Sequence, residues 1–213
     1  MKSSLTWMQD YVDVDMNQDM QAFADKLTIA GIPVEQVEYW GTEVKKVKTG
    51  KILQIDKHPD ADKLVVCQVD MGDEQLQIVT AATNVRVGQI VPVAVHGAHL
   101  PGGTKIKRSK LRGVLSNGMF CSAHEFGFDD SLLLPEEKEG IWILPSDTPL
   151  GVDAAEYMQV RDVVYEYELT ANRADCFSMV GLSREFAVLS GKEARYPDIS
   201  VKECHTPIDG KVK

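Results

Sequence analysis

The segment Lys57-His58-Pro59-Asp60-Ala61-Asp62-Lys63-Leu64 separates two β-rich runs, residues 50–56 and 64–70, and has the composition of a strand-connecting turn. Pro59 fixes φ, the carboxylates of Asp60 and Asp62 can accept from nearby backbone amides, and Leu64 leads the chain back into a core. His58, Asp60 and Asp62 could also be read as a hard-metal or acid/base group. No partner cluster accompanies them in the sequence, so the turn reading is preferred. On either side of the turn the period of two persists from about residue 44 to 145, with further runs at 76–80 and 90–95 and shorter ones at 119–122 and 141–144. Gly72-Asp73, Gly88-Gln89 and Pro101-Gly102-Gly103 punctuate them. A handful of short strands in roughly 100 residues favours a small closed barrel, because closure removes the sheet edges; an open sandwich is the alternative.

The flanks have a helical period instead. Ser4 can cap a short helix through Leu5, Trp7, Met8, Tyr11 and Val12. Met16, Met20, Phe23, Ala24, Leu27 and Ala30 form a second apolar stripe behind Asn17 or Asp19, ending at Gly31, after which Pro33 forces an extended exit over 34–40. Beyond Pro149, residues 163–169 alternate as a strand, and Ser178 can cap a helix over 179–190 with Leu182, Phe186 and Leu189 as its stripe and Gly191 as its stop. Each end is shorter than the ~40 residues that usually fold alone. The expectation is therefore a small helical α+β domain built from 1–39 with 150–195, and a mostly β domain, 40–149, inserted into it. Residues 196–213 read as the start of a following domain or a disordered tail.

Composition narrows the function classes. The 213 residues are 44% hydrophobic and 26% charged, ordinary globular values, and no apolar run approaches the ~20 residues of a membrane span. Lys2 is followed by no signal-peptide core, and the four cysteines form no dense framework, so a soluble cytoplasmic protein with reduced thiols is expected. The formal charge of −9 argues against coating nucleic acid through bulk positive charge. Residues 40–150 are nearly neutral, with 13 basic and 14 acidic side chains, so the acid lies mainly in the flanks. Gly50-Lys51 lacks the earlier glycine of a phosphate loop, and Cys121-Ser122-Ala123-His124 lacks the second pair a structural zinc site needs. Cys204-His205 is no better supplied. No catalytic residue and no metal site are expected.

Lys105, Lys107, Arg108, Lys110 and Arg112 place five cations without an acid between Pro101 and Gly113. Such a run can neutralise phosphates and release condensed counterions, or can be a solvated loop; composition leaves both open. Lys45, Lys46, Lys48 and Lys51 would extend the patch if the two clusters are neighbours. Phe120, Phe126, Phe128 and Trp142 are the candidate stacking platforms of this region, although each aromatic is more often core.

The turn motif from Lys57 to Leu64, followed by Ser116-Asn117-Gly118-Met119 and Cys121-Ser122, resembles the signature of the tRNA-binding domain shared by several synthetases and free-standing tRNA-binding proteins. The flanks narrow the match. Trp7 to Val12, Leu27-Thr28-Ile29-Ala30-Gly31-Ile32-Pro33-Val34, Lys105-Ile106-Lys107 with Lys110-Leu111-Arg112-Gly113, and Leu169-Thr170-Ala171-Asn172-Arg173-Ala174-Asp175-Cys176 resemble the N-terminal part of the bacterial phenylalanine-tRNA ligase β subunit. The resemblance implies an OB-fold barrel as the inserted domain, with His58, Pro59, Asp60, Asp62, Ser116, Gly118 and Met119 defining the fold. It also implies a non-catalytic portion of a longer subunit that assists tRNA binding; the cations read from the charge pattern, Lys105, Lys107, Arg108, Lys110, Arg112, Lys45, Lys46 and Lys48, are the candidates for that contact. The implied partners are tRNA, the α subunit and the rest of β in a heterotetramer of two α and two β, with ATP and magnesium used elsewhere in the holoenzyme. A subunit-docking scaffold and a free-standing tRNA binder are the alternatives.

Overall fold

The computed structural model describes residues 1–202 and 209–210. Along the chain run β1 (Lys2–Ser4), α1 (Leu5–Met8), α2 (Met20–Ile29), β2 (Val34–Trp40), β3 (Lys45–Lys57), β4 (Val65–Asp70), β5 (Gln75–Thr80), β6 (Ile90–Leu100), β7 (Thr104–Lys105), β8 (Ser109–Leu111), β9 (Val114–Ser116), β10 (Gly118–Phe120), α3 (Ala154–Tyr157), β11 (Asp162–Tyr167) and α4 (Met179–Ser190). They fall into two units, Met1–Glu38 with Val163–Lys213, and Tyr39–Asp162. Among the described residues no helix is long and apolar enough to cross a membrane.

In the unit made by the two ends, side chains open each helix. Ser4 Oγ accepts from the Trp7 amide at 2.9 Å, Asp19 Oδ1 from Ala22 at 3.0 Å and Ser178 Oγ from Gly181 at 3.0 Å, each satisfying a first-turn N–H that has no intrahelical partner. The helices bury Leu5, Met8, Phe23, Leu27, Leu182 and Phe186 against Tyr165 and Tyr167 of a three-stranded sheet ordered β1-β11-β2. The Phe23 and Phe186 rings lie 5.2 Å apart, and the buried Tyr165 hydroxyl donates to the Met20 carbonyl at 2.5 Å. At the chain's far end the Arg195 amide donates to Tyr11 O at 2.7 Å and its guanidinium to Asp13 at 2.7 Å, so residue 195 still packs with this unit. Residues 203–208 and 211–213, with Cys204-His205 and most of the expected tail, lie outside the described residues.

The other unit is mostly sheet. Its antiparallel strands follow the order β10-β6-β3-β4-β5, with β7 on the far end of β6 and a separate hairpin of β8 and β9. The ladder is an open path: β5 and β10 are not paired strand to strand. They are bridged instead, by the Asn117 amide donating to Gln77 O at 2.9 Å and by Ser116 Oγ accepting from the Val79 amide at 3.0 Å. Ser116 Oγ in turn donates to Gly118 O at 2.8 Å. Two apolar clusters fill the unit, one around Ile52, Val69, Ile78, Val93 and Phe120, the other around Val47, Ala94, Phe126 and Trp142.

The boundary expected at residue 150 lies at Asp162 instead. Residues 150–162 belong to the sheet unit because Thr49 seizes the returning chain: its Oγ1 donates to Pro149 O at 2.6 Å, its amide donates to Val152 O at 3.0 Å, and its carbonyl accepts from Gly151 at 2.9 Å. Ala154 and Ala155 of α3 are then buried beside Val44 and Val47. The strand expected at 141–144 is reduced to one bridge, Leu144 to Ile90, and the run at 119–122 ends as a strand at Phe120.

Candidate nucleic-acid interface

The two basic clusters meet on β6. Lys45 of β3 stands opposite His99 of β6, and His99 stands opposite Lys105 of β7. Directly opposed residues of antiparallel strands project from the same face, so the three exposed side chains form a Lys-His-Lys row about 10 Å wide across three strands. A bulge creates this row. Between the Lys45–His99 and Val47–Ala94 pairs, Lys46 alone faces the β6 segment 95–98, with φ +57 at Lys46 and φ +82 at Gly97. The kink turns the outer end of β6 toward residues 104–106, where Gly97 donates to Ile106 O at 2.8 Å and Ile106 to Ala98 O at 2.9 Å. Lys46 lies over Gly97, and the Arg108 amide donates to His96 Nδ1 at 3.2 Å. Beside the row an open cleft of about 250 Å³ is lined by Glu43, Lys45, His99, Leu100 and Gly103.

The remaining expected cations are distributed differently. Lys110 is on β8 and Arg112 at the tip of the β8–β9 hairpin, both exposed. Lys107 is exposed between β7 and β8. Lys48 does not join the row: it pairs with Val93 further along β6, and its Nζ lies 3.6 Å from Asp73 Oδ2. Among the described residues none of the other seven cations lies within ion-pair distance of a carboxylate. Uncompensated cations clustered on a chain of net charge −9 are available to an external anion.

The motif residues lie in the β3–β4 turn and along β9 and β10. His58 is buried, its Nδ1 accepts from the Asp60 amide at 3.1 Å, and Nε2 bonds to Leu111 O at 3.0 Å. With Nδ1 an acceptor, the proton sits on Nε2. Pro59, Asp60 and Asp62 are exposed in the turn, and Met119 is half-buried on β10. Gly118 is required by close approach, since a Cβ there would lie 2.4 Å from Ala94 O.

Among the described residues no group of three or more His, Cys, Asp or Glu is placed to hold a metal ion. Among the described residues the three thiols are buried, and burial pushes Cys67 and Cys176 up to about 11 and Cys121 up to about 12, so they remain protonated near neutral pH. Phe126 and Phe128 stack edge-on against Trp142 at 5.3 and 5.5 Å, and Phe120, Phe126 and Trp142 are buried, which removes them as base-stacking platforms. His96, His99 and Glu43 were not singled out by the sequence reading. The signal that could have found two of them is the His96-Gly97-Ala98-His99 spacing, a glycine inside an apolar strand that marks a bulge.

The sequence model of the family described as "Putative tRNA binding domain" matches residues 47–153, half of the chain and nearly the whole sheet unit. A phenylalanine–tRNA ligase beta subunit of Moorella thermoacetica is 51% identical over 92% of this chain, and that of Clostridium acetobutylicum is 46% identical over 95% of it. The chain spans about a quarter of the length of these relatives, 24% and 25%. A MetRS-related protein from Pyrococcus horikoshii is similar over 49% of this chain and 84% of its own at 23% identity, with a TM-score of 0.36, too low to bear on the fold. A domain model that coincides with the sheet unit, joined to high identity across both units, leads to one conclusion: the chain belongs to the tRNA-binding-domain family, in the form carried by phenylalanine–tRNA ligase beta subunits.

Proposed function

We propose that the chain is the non-catalytic N-terminal part of a phenylalanine-tRNA ligase β subunit and that its sheet unit binds tRNA through backbone phosphates. The observation that carries this reading is the Lys45-His99-Lys105 row, where clusters 60 residues apart converge on a domain of the tRNA-binding family with no carboxylate within ion-pair distance and Glu43 as the acid beside them in the cleft. An OB-fold barrel fits the strand path β10-β6-β3-β4-β5 and the bridging of its two outer strands at Ser116 and Asn117. In this reading the sheet unit contributes electrostatic capture and shape, and aminoacylation takes place in a cytoplasmic heterotetramer with α subunits. ATP and magnesium belong to that assembly; the described residues contain no group suited to the metal.

A second reading, a subunit-docking scaffold, is favoured by Leu132 and Leu134, which are 70% and 58% exposed on the same unit. Amide resonances of the ¹⁵N-labelled chain separate the two. Titration with tRNA at low salt should shift residues 45–46, 96–99 and 104–112. Shifts confined to the segment around Leu132, seen with added α subunit and absent with tRNA, would instead make this a docking module.

A further inference from the structure

The β8–β9 hairpin has little to hold it in place. A two-stranded hairpin is marginal in water by itself, and Ser109, Lys110, Leu111, Arg112, Gly113 and Leu115 are all exposed. Its turn has the geometry of a tight hairpin, since Arg112 and Gly113 both have positive φ, +47 and +88, the two-residue conformation that matches strand twist. The Arg108 amide bond to His96 Nδ1 and the Asn117 amide bond to Gln77 O tie its two ends, and three further polar contacts hold the hairpin itself. His58 Nε2 donates to Leu111 O at 3.0 Å, Gln77 Nε2 donates to Leu115 O at 2.7 Å, and Ser116 Oγ accepts from the Val79 amide at 3.0 Å. The first two grip the carbonyls of opposite strands on either side of the tip. The registers Ser109↔Ser116 and Leu111↔Val114 put those residues on the face that Ser116 buries, so Lys110 projects from the other face and Arg112 from the tip.

We infer that His58 and Gln77 are positioning residues for tRNA: they clamp the hairpin so that Lys110 and Arg112 present their charges at a fixed place, without touching RNA themselves. This inference rests on the tRNA-binding reading above. It gives the His58-Pro59-Asp60 turn a role beyond joining β3 to β4. The Asp60 amide fixes the imidazole tautomer, and the Nε2 proton is thereby aimed at a carbonyl 53 residues away. A clamped cation can hold a phosphate in register. A swinging one must be ordered on binding, at an entropic cost for each side chain.

The test uses the whole chain with His58→Phe, which fills the ring's space without a donor, His58→Gln, which restores an N–H, and Gln77→Ala. Hydrogen exchange of the hairpin amides should accelerate about 5-fold in His58→Phe and Gln77→Ala, the worth of one neutral hydrogen bond, while the amides of β4 and β6 stay protected. In the same variants tRNA affinity should fall several-fold, and the slope of log K against log salt should shrink by up to about 1.6, the share of two phosphate contacts. His58→Gln should recover more than half of both effects. In a Lys110→Ala/Arg112→Ala background, adding His58→Phe should change tRNA affinity less than about 2-fold, because its effect runs through those cations. An unchanged hairpin exchange rate, or an undiminished loss of affinity in the background without the cations, overturns the inference. Gln77→Ala carries the same test should His58→Phe fail to fold. If the wild-type chain binds no tRNA, the tRNA reading fails, and the exchange rates still show whether the clamp exists.

Discussion

Replacing Gly118 by alanine should unfasten the closing edge of the sheet unit. Gly118 has ordinary extended geometry, so the penalty is purely one of space: a Cβ would lie 2.4 Å from Ala94 O and 3.3 Å from Ile78 Cδ1, where ordinary contact begins at 3.4 Å. The nearer atom is backbone and cannot swing aside. Relief requires β10 to move about 1 Å from β6, which stretches a hydrogen bond of about 2.9 Å past its useful limit. The pairs Gly118↔Val95, Met119↔Ala94 and Phe120↔Val93 are all at risk, and buried Phe120 moves with them. Two or three net hydrogen bonds at about 1 kcal/mol each, with an overpacked core, put the loss at about 3 kcal/mol. With a urea m-value of about 2 kcal/mol/M, the midpoint should drop by about 1.5 M. Buried Trp142 reports on this unit once exposed Trp7 and Trp40 are replaced by phenylalanine. A midpoint within about 0.3 M of wild type would refute the close-approach reasoning and the assignment of Gly118 as fold-defining.

Lys45→Ala with Lys105→Ala should flatten the tRNA salt slope by about 1.4 to 1.8, so that a fourfold rise in salt costs the variant roughly 7- to 12-fold less affinity than it costs wild type; Lys48→Ala, which removes a cation already facing Asp73, should do less than half as much as either single change, as filter-binding titrations would show. Phe186→Ala removes a ring packed on Phe23 and Tyr165 and should destabilise the unit made by the two ends by about 3–5 kcal/mol in calorimetry, with its melting transition alone displaced. Because burial holds the Cys121 thiol up at about 12, the unfolded chain ionises first as pH rises past about 9 and stability falls. By pH 10 this one group should have cost about 1.4 kcal/mol relative to pH 8, an increment absent from Cys121→Ala and measurable by urea unfolding at the two pH values.

The readable parts of the fold are those whose signal is local. Met20–Ile29 and Met179–Ser190 announce themselves because cap, stripe and terminal glycine lie within one stretch of chain. β4 and β5 do so because each is a short run of mostly β-branched and apolar residues bounded by turn residues. The hairpin of β8 and β9 reads as a charged loop, since β8 is exposed throughout and the one buried residue of β9 is the polar Ser116, so no alternation of apolar residues marks it. The misplaced boundary at 150 has a similar cause: Pro149 is a strong punctuation mark, and the contacts of Thr49 that override it come from 100 residues away. At the site, the Lys105–Arg112 run was visible as charge, but its convergence with Lys45 depends on a bulge, and the loss of Lys48 depends on where Asp73 folds. The partner of His58 was illegible because it is a backbone carbonyl, which no sequence motif names.

The most direct test of tRNA binding by the sheet unit is the equilibrium affinity of the 213-residue chain for tRNA as a function of salt. Four or more phosphate contacts, from Lys45, Lys105, Arg108 and the hairpin, predict binding at low salt and a slope of log K against log salt of about −3 or steeper. No binding at low salt, or a slope shallower than about −1, would contradict the proposed mode of binding.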